Sequence, residues 1–255
     1  MTDWQELRGG VNVVHRSGDV VRRPTTPAAP AIHRLLRHLH AQGFHGAPRP
    51  LGLDADGRER LTFLHGDVPA TLTPQLRTPA LLTSAATLLR GLHDAGATFR
   101  TRPDDAWWLP AREPAEVICH GDAAPYNYVV RDGEAVGLID FDAAHPGPRV
   151  WDVAYAVYRF APLHGPDNPE SFGTPQEQGR RAAAFCRAYG PGVGAEVVDV
   201  VPERLQALIT FMRDRAARGD EAFQRHLAEG HADAYEADIR HVRAHSATLR
   251  GAFEE

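Results

Sequence analysis

The chain contains no lysine; all 28 of its basic residues are arginine. Any anion held by a side-chain cation must therefore meet a planar, permanently charged guanidinium in place of a compact ammonium. Cysteine is nearly absent as well. Cys119 and Cys186 stand too far apart for a metal-ligand spacing, and each reads as a reduced core thiol. No run of about 18 apolar residues occurs, which excludes a membrane-spanning helix. Met-Thr-Asp-Trp-Gln-Glu at the start is neither basic nor followed by an apolar segment, so no secretory signal and a cytoplasmic location are expected. There is no internal repeat and no low-complexity tract.

What remains is the composition of a folded protein, 43% hydrophobic and 24% charged over 255 residues, enough for one large or two small cores. Net charge is −5, unevenly spread. Residues 1–103 carry 13 Arg against 8 acidic residues, 104–152 carry 3 against 10, and 153–255 carry 12 against 15. This balance has neither the overall basicity nor the basic stripe of a nucleic-acid binder. A positive first part and a negative middle suit a polyphosphate gripped on one side and a metal on the other.

The middle segment contains the most informative stretch, His120-Gly121-Asp122-Ala123-Ala124-Pro125-Tyr126-Asn127, followed by Ile139-Asp140-Phe141-Asp142. Phosphoryl transfer needs one carboxylate to orient a hydroxyl and accept its proton. It also needs an amide oxygen and a second carboxylate to hold Mg²⁺ against a triphosphate. Asp122, Asn127 and Asp140 are those residue types in the spacing of a kinase catalytic loop and metal loop, with Gly121 where protein kinases usually have Arg. The setting agrees. Tyr128–Arg131 leaves Asn127 as a strand, Asp132-Gly133 is a hairpin signal, and Ala135–Ile139 returns to deliver Asp140 at the same end. An Asp-rich surface loop is the alternative. An internal control separates the two: His65-Gly66-Asp67 repeats the first three residues, yet position 72 is leucine and no strand with Asp-Phe follows.

Elsewhere, Val11–Arg16 and Val20–Arg23 predict a hairpin, and Ile32, Leu35, Leu36 and Leu39 a helix over 28–42. Residues 49–53 and 59–64 predict a second hairpin, and 66–74 a linker. Helices are expected at 78–95, 151–161, 175–189, 202–218 and 231–250. The fold class expected is α+β and bilobal, with lobes at 1–66 and 67–255.

A small β lobe with one helix, then a helical lobe holding HGDxxPxN and DFD, resembles the aminoglycoside phosphotransferase family of kinase-fold enzymes. The resemblance runs over about 7–215, is strongest at 117–155, and extends to Pro148-Arg149-Val150-Trp151-Asp152-Val153-Ala154-Tyr155. It implies Asp122 as the catalytic carboxylate, Asn127 and Asp140 as Mg²⁺ ligands, His120 and Asp152 as supports of the catalytic loop, and Pro125 as a loop-shaping residue. It implies ATP or GTP as donor, with Phe63, Leu64 and His65 as the hinge beside the base and Asn12 in a phosphate-covering turn. In place of the usual strand lysine it points to Arg22, with Arg23 on the opposite strand face. The glutamate partner is missing, because no acidic residue occurs between Asp19 and Asp54; His33 is a candidate to point towards the phosphates, with a solvent-facing helical histidine as the alternative.

Asp142, Trp107, Trp108, Asp214 and Glu221 are possible substrate contacts; the tryptophans read equally as packing under the catalytic loop, and surface charge is the usual explanation of Asp214 and Glu221. His241 and His245, at i and i+4, read as a solvated helix face. The expected activity is transfer of a γ-phosphoryl group to a small-molecule hydroxyl, on an aminoglycoside-like or other antibiotic among the options, by a monomer or weak dimer without nucleic-acid or membrane partners. A nucleotide- or metabolite-binding sensor is the rival. A protein kinase ranks last for want of an Ala-Pro-Glu segment.

Overall fold

The computed structural model describes residues 4–7 and 14–255; Asn12 and its glycine pair lie outside them. Five antiparallel strands form the first layer: β1 (Gln5–Leu7), β2 (Val14–Ser17), β3 (Val20–Arg23), β4 (Pro50–Leu53) and β5 (Glu59–Thr62), in spatial order β1-β2-β3-β5-β4. Between β3 and β4 runs α1 (Ala29–Ala41), opened by a proline in its first turn and burying Ile32, Leu35, Leu36 and Leu39 on one stripe. The register that matters places Arg23 of β3 opposite Glu59 of β5.

Past residue 62 the chain crosses to the helical part and touches the catalytic hairpin on the way. Asp67 and Val130 exchange two backbone hydrogen bonds of 2.8 and 2.7 Å. Gly66 allows this approach, since a Cβ there would sit 2.6 Å from the Val130 carbonyl oxygen. The first His-Gly-Asp copy is thus connecting chain, laid against the strand that follows the second copy.

α2 (Pro79–Gly96) starts where the Thr78 side chain accepts from the Leu81 N–H, and it buries Leu81, Leu82, Ala85, Leu89 and Leu92. β6 (Val117–Cys119) leads into the catalytic loop. β7 (Tyr128–Arg131) and β8 (Glu134–Leu138) form the expected hairpin. Asp132 and Gly133 both take positive φ, 53° and 80°, as the two-residue turn requires. β9 (His145–Gly147) pairs back on β6 and closes the loop region. Then come α3 (Arg149–Phe160), α4 (Pro175–Tyr189), α5 (Val197–Ala217), α6 (Glu221–Ala228), α7 (His231–Ala244) and α8 (Ser246–Gly251). A capping box of Thr174 and Glu177 starts α4.

Several boundaries differ from expectation. α5 begins at Val197, not at 202. Its opening turn is tight, with Val197, Val198 and Asp199 N–H groups reaching back three residues, and it tolerates Pro202 one turn inside. The span 231–250 is broken at His245 into α7 and α8, and α6, β1 and β9 were not anticipated. No helix among the described residues is long and apolar enough to cross a membrane.

Candidate active site

The catalytic loop is anchored from beneath by one fully buried carboxylate. Asp152, in the first turn of α3, accepts the His120 N–H at 2.6 Å on Oδ2 and the Gly121 N–H at 2.9 Å on Oδ1. His93 of α2 adds a third partner at 2.9 Å and is itself held by the Tyr189 hydroxyl at 2.7 Å. Burial works against this charge, yet the bonds from His93 and the loop N–H groups hold the Asp152 carboxyl well below the usual range. On the other side of the loop, buried Arg204 of α5 donates to the Gly121 carbonyl at 2.6 Å. Gly121 is compelled by geometry. Its φ is +80°, and a Cβ there would stand 2.1 Å from the Ala143 carbonyl oxygen.

His120 joins the two loops. Its Nδ1 accepts the Asp122 N–H at 3.3 Å, which leaves Nε2 to donate to the Ile139 carbonyl at 2.9 Å, and its ring lies 4.8 Å from that of Phe141. Asp122 itself is half-buried with both oxygens held. The Tyr126 hydroxyl donates to Oδ1 at 2.8 Å, and Asn127 Nδ2 donates to Oδ2 at 2.9 Å. Burial, joined by the charge of Asp140, pushes the Asp122 carboxyl up, against the pull of the Tyr126 bond. A carboxylate so placed has a raised proton affinity, as a base near neutral pH needs.

Asn127 spends its amide nitrogen on Asp122, which leaves the amide oxygen as the donor available to a cation. The Ile139 N–H donates to the Asn127 carbonyl at 2.9 Å, so the next residue, Asp140, emerges beside Asn127. Asp140 is exposed and adopts φ 61°, a left-handed conformation that is uncommon outside glycine and tends to mark functional loops. Among the described residues no three His, Cys, Asp or Glu side chains form a metal cage.

The arginine facing this loop is Arg23, not Arg22, which corrects the sequence reading. Arg22 turns to the opposite face of the sheet and pairs with Asp54 and Asp56, with the Trp4 ring 5.7 Å away. Arg23 is buried. Its Nη1 reaches Asp140 at 3.1 Å, its Nη2 reaches Asp142 at 2.6 Å, and its Nε reaches Glu59 at 2.5 Å. His33 contacts the other Glu59 oxygen at 2.6 Å. The carboxylate missing from α1 is therefore supplied by β5. A register for β3 and β5 was the signal needed to find it.

The hinge residues lie together. Phe63 carries the Arg16 guanidinium 3.6 Å over its ring, Leu64 packs towards Gly137 of β8, and His65 pairs with Asp19 at 2.8 Å. Of the possible substrate residues, only Asp142 joins the cluster, and burial raises its carboxyl to about 6 against the pull of Arg23. Trp107 packs against the main core. Trp108 is exposed, with its ring edge-on to Phe211 at 5.3 Å and near Phe223 at 5.7 Å. Asp105, just before the pair, is bonded to Arg34 of α1 and so does not face a ligand beside the tryptophans. Asp214 is exposed about 15 Å along α5 from Arg204, and exposed Glu221 opens α6, so neither joins the Asp122 cluster. His241 bonds Gln178 of α4 at 2.9 Å, so it faces a neighbouring helix where a solvated face was expected. Cys119 is buried, and that burial drives its thiol well up, as for an inert core group.

The sequence pattern of the phosphotransferase enzyme family (APH) matches residues 4–110 and 104–208. The chain belongs to that family. A protein called trifolitoxin immunity protein, from Rhizobium leguminosarum bv. trifolii, is 36% identical over 171 residues, which are 65% of this chain and 64% of that one. The match thus spans less than two thirds of that relative. A choline/ethanolamine kinase family protein from Mesorhizobium loti aligns over 98% of this chain and 92% of its own, with a TM-score of 0.64 at 17% identity. An amicoumacin kinase solved with AMP-PNP, Ca²⁺ and Ami aligns over 89% and 88%, with a TM-score of 0.64 at 13% identity. An aminoglycoside phosphotransferase from Streptomyces rimosus covers 81% of this chain and 93% of its own, with a TM-score of 0.55 at 18% identity. These likenesses show the kinase-like α+β fold, and family membership supports a small-molecule phosphotransferase.

Gly121 and Gly133 share φ +80°, but only Gly121 is crowded. Gly133→Ala is expected to cost about 1–2 kcal/mol for the left-handed backbone alone. Gly121→Ala should cost at least about 2 kcal/mol more through the Ala143 clash; urea unfolding of the two variants, giving equal losses, contradicts this. A second outcome concerns acid. Asp152 stays ionised when folded and binds a proton when unfolded, so its contribution is present above about pH 4 and is lost as pH falls. Asp152→Asn should flatten the stability curve between about pH 4 and 2 by up to about 1.4 kcal/mol per pH unit, read by denaturant melts at stepped pH.

Proposed function

We propose that the protein transfers the γ-phosphoryl group of ATP or GTP, as its Mg²⁺ complex, to a hydroxyl of a small molecule. The N-terminal lobe, to residue 66, handles the nucleotide, and the lobe from 67 handles the metal, the acceptor and the chemistry. The observation that carries this reading is the convergence of Asp122 and Asp140 on Asn127: its side-chain amide donates to Asp122, and its backbone carbonyl accepts the Ile139 N–H one residue before Asp140.

In this reading Asn127 and Asp140 hold the metal, which when bound neutralises charge on the triphosphate. Asp122 lies fixed between Tyr126 and Asn127, so its remaining lone pairs have a set direction. It accepts the acceptor's hydroxyl proton as the new oxygen–phosphorus bond forms and the bond to the departing diphosphate breaks. His120 and Asp152 keep the loop in register without touching the reacting atoms. The rival reading, a non-catalytic sensor, drew on the missing Lys–Glu pair; the Arg23–Glu59 ion pair weakens that motive.

The acceptor is best drawn as a hydroxyl-bearing natural product. A relative named for immunity to trifolitoxin supports a toxin-directed, resistance-like role.

Asp122→Ala should leave nucleotide binding near the wild-type value and lower turnover at least about a hundredfold, once an acceptor library screened for nucleotide consumption has supplied a substrate. Undiminished turnover in that variant refutes the role of Asp122. Asp140→Asn should instead weaken binding of the Mg²⁺–nucleotide complex, measured by calorimetric titration; unchanged affinity removes Asp140 from the metal site.

A further inference from the structure

Resting on the phosphotransferase reading, we propose that Arg23 is the resident counter-ion of the metal loop. It must exchange its bonds to Asp140 and Asp142 for phosphate oxygens, so metal and nucleotide bind as a coupled pair. Glu59 and His33 are the positioning residues that keep the guanidinium at the site during the exchange.

The guanidinium is held asymmetrically. Its Nε bonds Glu59, which is 1% exposed, lies directly across the sheet and is fixed from behind by His33 of α1. The two terminal nitrogens point away from that anchor, to Asp140 and Asp142. One end is thus built into the protein, and the other end bonds Asp140, the carboxylate assigned to the cation, together with its neighbour Asp142. A guanidinium cannot leave its charge behind by deprotonation, and Glu59, Asp140 and Asp142 around it hold its proton still more firmly.

A bare divalent cation arriving at Asp140 must displace Arg23 and then sit beside a fixed positive charge with nothing to separate them. The same cation arriving with a triphosphate brings several negative charges, and the freed Nη1 and Nη2 groups can bond phosphate oxygens bidentately. Three carboxylates around one arginine leave the cluster short of positive charge, so a divalent ion suits it electrostatically once the guanidinium has a new partner. Arg23 therefore opposes metal alone and favours metal with nucleotide. A residue that merely propped up the sheet would not act with opposite signs on the two.

The test measures Mn²⁺ binding to the full chain by the loss of the free-ion paramagnetic resonance signal, first alone and then with AMP-PNP or GMP-PNP. Variants are Arg23→Met and, to avoid stranding a buried carboxylate, Arg23→Met combined with Glu59→Gln. Both should bind Mn²⁺ alone about tenfold more tightly than wild type, and the Mn²⁺–nucleotide complex about tenfold more weakly, within the usual range of coupling between linked sites. Bare Mn²⁺ affinity that is unchanged or reduced in both variants, with wild type still binding the complex, overturns the counter-ion proposal and leaves the phosphotransferase reading standing. Wild type that binds neither nucleotide analogue with Mn²⁺ overturns both.

Discussion

A single buried carboxylate carries the loop proposed as catalytic. Asp152 spends both oxygens on the backbone N–H groups of His120 and Gly121 and takes His93 as a third partner, all away from water. A buried anion without such partners is very costly, so the loop and the start of α3 are stable only together. From that anchor the other positions follow. His120 reaches across to Ile139, the Asp122 carboxylate lies between Tyr126 and Asn127, and the Asn127 carbonyl receives the strand that presents Asp140. The site is a short chain of hydrogen bonds hung from one acidic group.

The acidic surplus of residues 104–152 has a similar logic. Read as bare charge, it resembles a surface for a cationic ligand. In the fold much of it is internal currency: Asp152 on loop amides, Asp105 on Arg34, Asp140 and Asp142 on Arg23. The positive surplus of the first 103 residues supplies two of the partners, Arg23 and Arg34. The charge asymmetry is therefore part of how the sheet and α1 are tied to the helical part.

The catalytic hairpin was legible in the sequence because its signals are local. Asp-Gly fixes a two-residue turn, the short apolar runs on either side of it mark the strands, and the turn then fixes which ends meet. The choice between Arg22 and Arg23 was not local. Adjacent strand residues face opposite ways, and which face meets the metal loop depends on how the sheet packs, which no short window encodes. Glu59 was missed for the same reason, since its role exists only through the register that sets it opposite Arg23. The start of α5 was misplaced because a proline usually marks a first turn, whereas Pro202 sits inside a helix that has already begun tightly wound. Trp107 and Trp108 left two readings open, and the fold divides them, one inward and one outward.

The paired bonds between Asp67 and Val130 have a mechanical consequence. They clamp the crossing chain to the same ribbon that begins at Asn127, so the sheet is tethered within a few residues of that side chain. Sliding of one half over the other would break that clamp. Pivoting about it would leave both bonds in place, so the crossing chain tolerates rotation where it resists sliding.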